Sequence, residues 1–89
     1  MKITLKITNQ IIDLAKKYGA KRLILFGSAA EKPDQARDID LACDGIEGWR
    51  LFEFGAQLEE ALHILVDVVP LNPATPFTRY IEGKGKVLI

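Results

Sequence analysis

The sequence predicts an α/β (α+β) fold in which helices pack on one small mixed β-sheet. Short apolar runs of strand length, such as "RLILFG" and "ILVDVV", alternate with segments whose apolar residues recur every three or four positions. The chain has 89 residues, which is the size of one domain, so we expect a single domain spanning residues 1–89. Its apolar fraction of 48% and charged fraction of 27% are those of a globular protein.

The first element is predicted as a helix that begins near Thr4 or Thr8 and ends at Tyr18, where Gly19 supplies a stop. Next, "RLILFG" is apolar enough for a strand covered on both faces. The segment "AAEKP" predicts one helical turn that ends at Pro33. Residues 37–43, "RDIDLAC", predict a second strand, and the connection is too short for a long crossover helix. We therefore expect these two strands to be antiparallel neighbours.

The second half of the chain continues the alternation. After a turn at Asp44-Gly45, apolar residues at intervals of three or four predict an amphipathic helix. "ILVDVV" predicts a third strand closed by Pro70. "PATPFTRYIEG" predicts a short helix that starts near a proline, and "KVLI" predicts a short edge strand. The apolar face of the amphipathic helix is formed by Leu51, Phe54, Leu58 and Leu62.

Composition limits the classes of partner and the compartment. Twelve basic residues balance twelve acidic ones, so no global field recruits nucleic acid or an anionic membrane, and no direct DNA binding is expected. No segment approaches the roughly 18 apolar residues of a membrane span, and the N-terminus lacks a signal-peptide apolar block. The single Cys43 is interpreted as a buried thiol. The expectation is a soluble, cytoplasmic protein.

Two acids interrupt the second predicted strand. Side chains alternate faces along a strand, so Asp38 and Asp40 are expected to point the same way, with Ile39 and Leu41 in the core. Two carboxylates on one face repel unless a cation lies between them, and Mg²⁺ is the hard cation that prefers oxygen ligands. The alternative is a solvated polar face of a half-covered sheet.

A third acid and a glycine-serine pair add to this pattern. Asp67 interrupts "ILVDVV", and it would complete a three-carboxylate group if its strand pairs with residues 37–43; otherwise it is a surface acid. Gly27 permits a sharp turn or close approach of a ligand, and Ser28 is predicted to cap the short helix, whose free N–H groups suit a phosphate. The alternative is an ordinary strand-to-helix turn.

Taken together, "LFGS", nine residues, "DIDL", and later "VDVV" resemble the minimal nucleotidyltransferases of the DNA polymerase beta superfamily. The resemblance covers nearly the whole chain, including the closing "RYIEGKGKVLI", and implies a nucleotidyltransferase (polymerase beta palm-like) fold. It implies that Asp38 and Asp40 hold two Mg²⁺ ions on a nucleoside triphosphate. Asp67 would bind the catalytic ion and help deprotonate the attacking hydroxyl, while Gly27 and Ser28 hold the β- and γ-phosphates.

The segment between these motifs departs from the family pattern. Many relatives carry an arginine just after the Gly-Ser pair, whereas this chain has "AAEKP". Lys32 and Arg37 are therefore candidate nucleotide-binding residues that compensate for the missing charge. The alternative for Arg37 is an ion pair with a nearby acid.

The resemblance also implies a partner. Minimal nucleotidyltransferases commonly pair with HEPN-domain toxins, and some transfer AMP from ATP to a tyrosine of the toxin. The alternative is an antitoxin without activity that neutralises its HEPN partner by binding alone; modification of a small molecule is a third interpretation. Whether the chain forms homo- or hetero-oligomers stays open. We expect Trp49, Phe52 and Phe77 in the core, with a partly exposed aromatic patch as the alternative.

Overall fold

The computed structural model of the chain describes residues 3–89 and confirms the predicted mixed fold. Four helices and four strands alternate along these residues, and the short helix α2 is the single turn predicted for "AAEKP". The elements are α1 (Leu5–Lys17), β1 (Arg22–Phe26), α2 (Ser28–Glu31), β2 (Ile39–Asp44), α3 (Trp49–Leu62), β3 (Val66–Pro70), α4 (Pro76–Lys84) and β4 (Lys86–Val87).

The strands form one sheet with the order β3-β2-β1-β4. Strand β1 is antiparallel to both β2 and β4, as expected for a connection without a long crossover between β1 and β2. Strand β3 pairs with β2 in parallel, and α3 provides the crossover that a parallel pair needs. The predicted pairing of the third strand with the second is therefore confirmed.

One face of the sheet holds the main core, against which α1 and α3 pack. Alternate residues of β1 and β2 point to this face. Cys43 is one of them and is 1% exposed, which confirms the prediction of a buried thiol. Apolar residues at helical spacing close it from the other side. The largest members are Ile11, Leu23, Leu25, Ile39, Leu41, Phe54 and Leu58.

The opposite face carries a smaller apolar cluster of Ile24, Ala42, Leu71 and Ile81, the last on α4. Alternation places Asp40 on this face, two residues before Ala42. Asp40 lies half-buried there, outside the apolar cluster. The sheet thus presents a partly solvated carboxylate at the end of this face where β2 begins.

Polar contacts fix the ends of the helices. Thr4 caps α1, since its hydroxyl accepts a hydrogen bond from the Ile7 N–H at 3.2 Å. Thr75 and Thr78 form a reciprocal capping box at the start of α4, which begins at a proline as predicted. On the sheet side, the Arg22 guanidinium donates to Glu82 of α4 at 2.8 Å, which ties this helix to β1.

Three boundaries and one burial expectation differ from the prediction. Strand β2 begins at Ile39, so Asp38 lies in a bend just before the strand; β3 and β4 are also shorter than the apolar runs. The expectation that the three aromatic residues lie in the core is wrong: Trp49 is 74%, Phe52 84% and Phe77 53% exposed. The stripe containing Phe54 and Leu58 already fills the space under α3.

Within residues 3–89, every helix is too short or too polar to cross a bilayer.

Candidate active site

The turn from β1 into α2 depends on a glycine. Gly27 has φ +70° and ψ −152°, a backbone conformation that side chains of L-residues rarely adopt. A Cβ at this position would lie 2.5 Å from Asp40 Oδ2. Two features therefore require glycine at position 27: the backbone conformation, and the Asp40 carboxylate, which occupies the space of a Cβ.

The prediction that Ser28 caps the short helix is wrong. Gly27 itself occupies the N-cap position, no side chain caps the helix, and Ser28 is the first helical residue. The positive φ of Gly27 shifts the start of the helix by one residue, so the exposed Ser28 hydroxyl is not used for capping. The N–H groups of Ser28 and Ala29 also lie in the first turn, where intrahelical acceptors are absent. These donors suit an anionic oxygen.

Asp40 and Asp67 stand opposite each other in the register of the parallel strands β2 and β3. Residues paired in this way point to the same face, and their backbones lie about 4.8 Å apart. On the other side of β2, Asp40 is paired with Phe26, the residue before Gly27. The fold therefore places Asp40 between the glycine turn and Asp67.

The electrostatics of Asp40 reflect these neighbours. Partial burial raises the pKa of the Asp40 carboxyl, and the negative charges of Asp67 and then Asp38 raise it further. Asp38 is exposed and precedes the strand, so strand alternation does not set its direction. Its charge nevertheless raises the pKa of Asp40, which indicates that Asp38 lies near this carboxyl.

The donor chemistry of this group fits a divalent cation. All three side chains are carboxylates, the ligands that Mg²⁺ prefers, and none of them forms an ion pair with a basic residue within residues 3–89. In the same part of the chain, no three His, Cys, Asp or Glu side chains already converge on one metal position. The pair formed by Asp40 and Asp67 brings two carboxylates to one face of the sheet on adjacent strands.

The two basic candidates lie in the segment between α2 and β2. Lys32 is the C-cap residue of α2, and Arg37 comes two residues before Ile39. Both side chains are exposed, and neither forms an ion pair with another residue of the described range 3–89. Their contact with a nucleotide stays a prediction.

The sequence interpretation missed a cavity beside Asp67. This cavity, of about 170 Å³, lies between α3 and the edge strand β3, and Asp67, Phe52 and Glu59 are among its lining residues. Glu59 accepts a hydrogen bond from the Val66 N–H at 3.0 Å. The missed signal is the spacing of Phe52, Ala56 and Glu59 at i, i+4 and i+7, a second helical stripe beside the core stripe.

Comparison with known proteins identifies the family of the chain. The profile of the family "Polymerase beta, Nucleotidyltransferase" matches residues 9–89. No curated protein sequence shows a significant match to the chain.

Solved structures of toxin–antitoxin proteins share its fold, and three of them are described here. A toxin–antitoxin structure of MntA–HpeT, with two Asp-to-Glu substitutions, is 25% identical with a TM-score of 0.79, covering 92% of this chain and 72% of that one. A toxin–antitoxin with AMP-PNP is 29% identical with a TM-score of 0.78, with the same coverage. A tri-AMPylated Shewanella oneidensis HEPN toxin in complex with its MNT antitoxin is 26% identical with a TM-score of 0.74, covering 94% and 70%.

The family profile spans nearly the whole chain, and the glycine turn, Asp40 and Asp67 lie together in the structure. This chain therefore belongs to the polymerase beta nucleotidyltransferase family.

Proposed function

We propose that this protein transfers AMP from ATP to a tyrosine hydroxyl of a HEPN-domain toxin in the cytoplasm, and thereby acts as its antitoxin. The observation that carries the proposal is the placement of Asp40 between Gly27 and Asp67. Support comes from the similar structures, one of which contains AMP-PNP and another a tri-AMPylated HEPN toxin. We further propose that residues 1–89 act as one catalytic domain.

The proposed roles follow from position and charge. Asp38, Asp40 and Asp67 would hold Mg²⁺, which when bound neutralises phosphate charge and favours in-line displacement. The helix-start N–H groups and the hydroxyl of Ser28 would bind the β- and γ-phosphates, which the absent Cβ of Gly27 lets approach closely. Exposed Lys32 and Arg37 would add charge to this end of the site.

The proposed chemical step is a displacement at the α-phosphorus. The acceptor oxygen forms a bond to this phosphorus while the bond to the bridging oxygen of the β-phosphate breaks, and pyrophosphate leaves with the electron pair. The proton of the acceptor hydroxyl passes to the exposed carboxylate of Asp67 and from there to water. In this assignment, all three acids hold Mg²⁺ and Asp67 also accepts the proton of the acceptor hydroxyl.

One observation favours a second candidate, an antitoxin that acts by binding alone. In the "AAEKP" segment, Ala29 is buried and Glu31 is exposed, so α2 itself carries an acid, and the first base after Ser28 is Lys32 at the C-cap. A carboxylate near a triphosphate weakens its binding. An occluding antitoxin would not need the three acids.

The test uses a HEPN-domain protein as acceptor, taken from the gene adjacent to that of this chain where one is encoded there. After incubation with ATP and Mg²⁺, the intact mass of the acceptor should rise by adenylyl increments. Asp40→Asn should abolish the gain, while the control Asp13→Asn, which removes an exposed acid on α1, should retain it. Neutralisation of the toxin by Asp40→Asn without any mass gain would instead support the binding-only candidate.

A further inference from the structure

A row of three side chains crosses the face of the sheet that carries the candidate active site. Phe26 of β1 is paired with Asp40 of β2, and Asp40 is paired with Asp67 of β3. Residues paired across strands point to the same face, and their Cβ atoms lie about 4.5–5.5 Å apart in an antiparallel pair. Phe26 also packs against the apolar cluster that contains Ile24 and Ala42, which agrees with this face. The side chain of Asp40 is therefore flanked by an aromatic ring on one strand and a second carboxylate on the other.

A second aromatic ring lies beside Phe26. Phe77 is the second residue of α4, and its ring meets that of Phe26 edge to face, with centroids 5.9 Å apart and an angle of 83° between the planes. Further along α4, Ile81 belongs to the apolar cluster, and Glu82 accepts a hydrogen bond from Arg22 at the start of β1. Helix α4 therefore lies over β1 with its first turn at the end of the strand where the candidate site lies.

The ring of Phe77 is only partly covered. Its side chain is 53% exposed, while Phe26 beneath it is half-buried. The exposed rings of Trp49 and Phe52 belong instead to α3, which packs on the opposite face of the sheet. An aromatic ring that is held by a neighbouring ring and left half open to solvent offers a flat apolar surface to another planar group. Phe77 presents such a surface on the same side of the sheet as Asp40.

The in-line geometry of the proposed reaction indicates which group meets this surface. In that reaction pyrophosphate leaves on the side of Gly27 and Ser28, beyond the end of β1, and the acceptor enters from the opposite side of the α-phosphorus. Asp67, which takes the acceptor proton, lies on the far side of Asp40 from Phe26. The acceptor thus belongs to the β3 side of the site. The nucleoside is the part of the substrates that is left for the β1 side.

We propose that Phe77, held in place by Phe26, stacks on the adenine base of ATP, so that the first turn of α4 forms the nucleoside side of the site. The inference rests on the proposed function and deepens it, because it assigns a residue to the base of the donor. The base is neutral, so the carboxylates of Asp40 and Asp67 do not repel it. Every nucleobase has a π-face, and this contact therefore adds affinity without distinguishing adenine from guanine.

Binding experiments with two ligands test this contact without requiring transfer. AMP-PNP carries phosphates and a base, whereas inorganic triphosphate carries phosphates alone. Isothermal titration in the presence of Mg²⁺ should show that Phe77→Ala weakens the binding of AMP-PNP roughly tenfold and leaves the binding of triphosphate unchanged. GMP-PNP should lose affinity by the same factor. Phe77→Tyr, which keeps the ring, should retain the wild-type affinity for AMP-PNP.

Further variants separate stacking from folding. Phe52→Ala removes an 84% exposed ring from α3, on the opposite face of the sheet, and should leave both affinities unchanged. Phe77→Leu keeps an apolar side chain over Phe26 but has no π-face, so it should lose most of the affinity that Phe77→Ala loses. Equal weakening of AMP-PNP and triphosphate, or wild-type affinity for AMP-PNP in Phe77→Ala or Phe77→Leu, would overturn the proposal.

Transfer assays with a HEPN acceptor separate this inference from the proposed function. Phe77→Ala should raise KM for ATP about tenfold and leave KM for the acceptor unchanged. If Phe77→Ala changes only KM for the acceptor, Phe77 belongs to the protein interface and the stacking proposal fails. If the wild type binds AMP-PNP through Phe77 but transfers AMP to no hydroxyl, the proposed function fails and the assignment of Phe77 stands.

Discussion

Asp40 and Asp67 are direct neighbours across the parallel strands β2 and β3, and no basic side chain of residues 3–89 forms an ion pair with either. The fold therefore brings like charges together on adjacent strands, which is unfavourable for the protein alone. A cation bound between them would reverse the sign of this interaction. The first predictions test this arrangement.

Replacing Asp67 should lower the pKa of Asp40. Asp67 raises this pKa more than Asp38 does, so Asp67→Asn should shift it further toward the ordinary value than Asp38→Asn. A ¹³C NMR titration of the Asp40 carboxyl in the three proteins measures the shifts. An equal or larger effect of Asp38→Asn would contradict the geometry.

The same substitution should change how stability depends on pH. Because the pKa of Asp40 is raised in the folded state, its contribution to stability is largest below the ordinary aspartate pKa and is lost as the pH rises through the raised value. Asp67→Asn should reduce this loss and stabilise the fold at pH 7 by less than about 1 kcal/mol, since both groups are partly exposed. Urea unfolding at pH 3 and pH 7 compares the two proteins.

Mg²⁺ should stabilise the folded protein through these acids. A ligand that binds only the folded state at a concentration of 100 Kd adds about 2.7 kcal/mol, so the Tm in excess Mg²⁺ should exceed the Tm in EDTA by several degrees. Asp40→Asn should lose most of this increase. Asp13→Asn is the control for removal of one negative charge; a loss of the same size there would assign the effect to general screening.

Gly27→Ala should damage both the fold and the site. The backbone conformation of Gly27, with φ +70° and ψ −152°, costs a non-glycine residue roughly 1–3 kcal/mol, and the added Cβ would also displace Asp40 Oδ2. We expect a lower Tm and loss of nucleotide binding, measured by circular dichroism and by titration with AMP-PNP.

The matched control for this substitution is Gly83→Ala. Gly83 lies within α4, and an added Cβ there would meet no atom within 4 Å. Alanine stabilises a helix interior by roughly 0.5–1 kcal/mol relative to glycine, so the Tm should rise slightly. Similar melting of both variants would show that the turn at Gly27 tolerates a side chain.

Cys43 should be unreactive in the folded protein. Burial raises the pKa of its thiol to about 11, so the nucleophilic thiolate is scarce at pH 8. Ellman's reagent should modify it slowly in buffer and rapidly in guanidinium chloride, while an added thiol in an Asp13→Cys, Cys43→Ser variant should react rapidly in buffer. Fast native modification of the wild type would contradict its burial.

The thiol also predicts a loss of stability in alkali. Between the ordinary pKa of 9.0 and the folded value of about 11, the unfolded chain loses the proton while the folded one keeps it. Stability should therefore fall as the pH rises through this window. Cys43→Ser should show a smaller decrease over the same range.

Periodicity predicted much of this fold and part of its site because those features follow from local rules. Strand alternation predicted the buried face of Ile39 and Leu41, and the short connection predicted the antiparallel pair of β1 and β2. The contact between Asp67 and Asp40 was predicted only on the condition that their two strands pair. Sequence spacing alone does not fix which strands are neighbours. Parallel pairing across α3 is a tertiary property.

The errors have equally physical causes. The positive φ of Gly27 moved the helix start, so Ser28 became the first helical residue instead of the cap. We expected the three aromatic residues in the core because large rings fill a small interior efficiently. That interior is instead filled by Phe54 and the other buried residues on its face of α3. Trp49 and Phe52 lie on a different face of the same helix. The helical period of 3.6 residues separates this face from the buried one that carries Phe54 and Leu58.

Glu59 has a consequence for self-association. Strand β3 ends the sheet, and an open strand edge invites pairing with a strand of another molecule. Here the Glu59 carboxylate already accepts from the outward Val66 N–H, and Pro70 at the other end of the strand has no N–H to offer. Glu59 and Pro70 thus leave an incoming strand few donors, which protects this edge from pairing with a strand of another molecule.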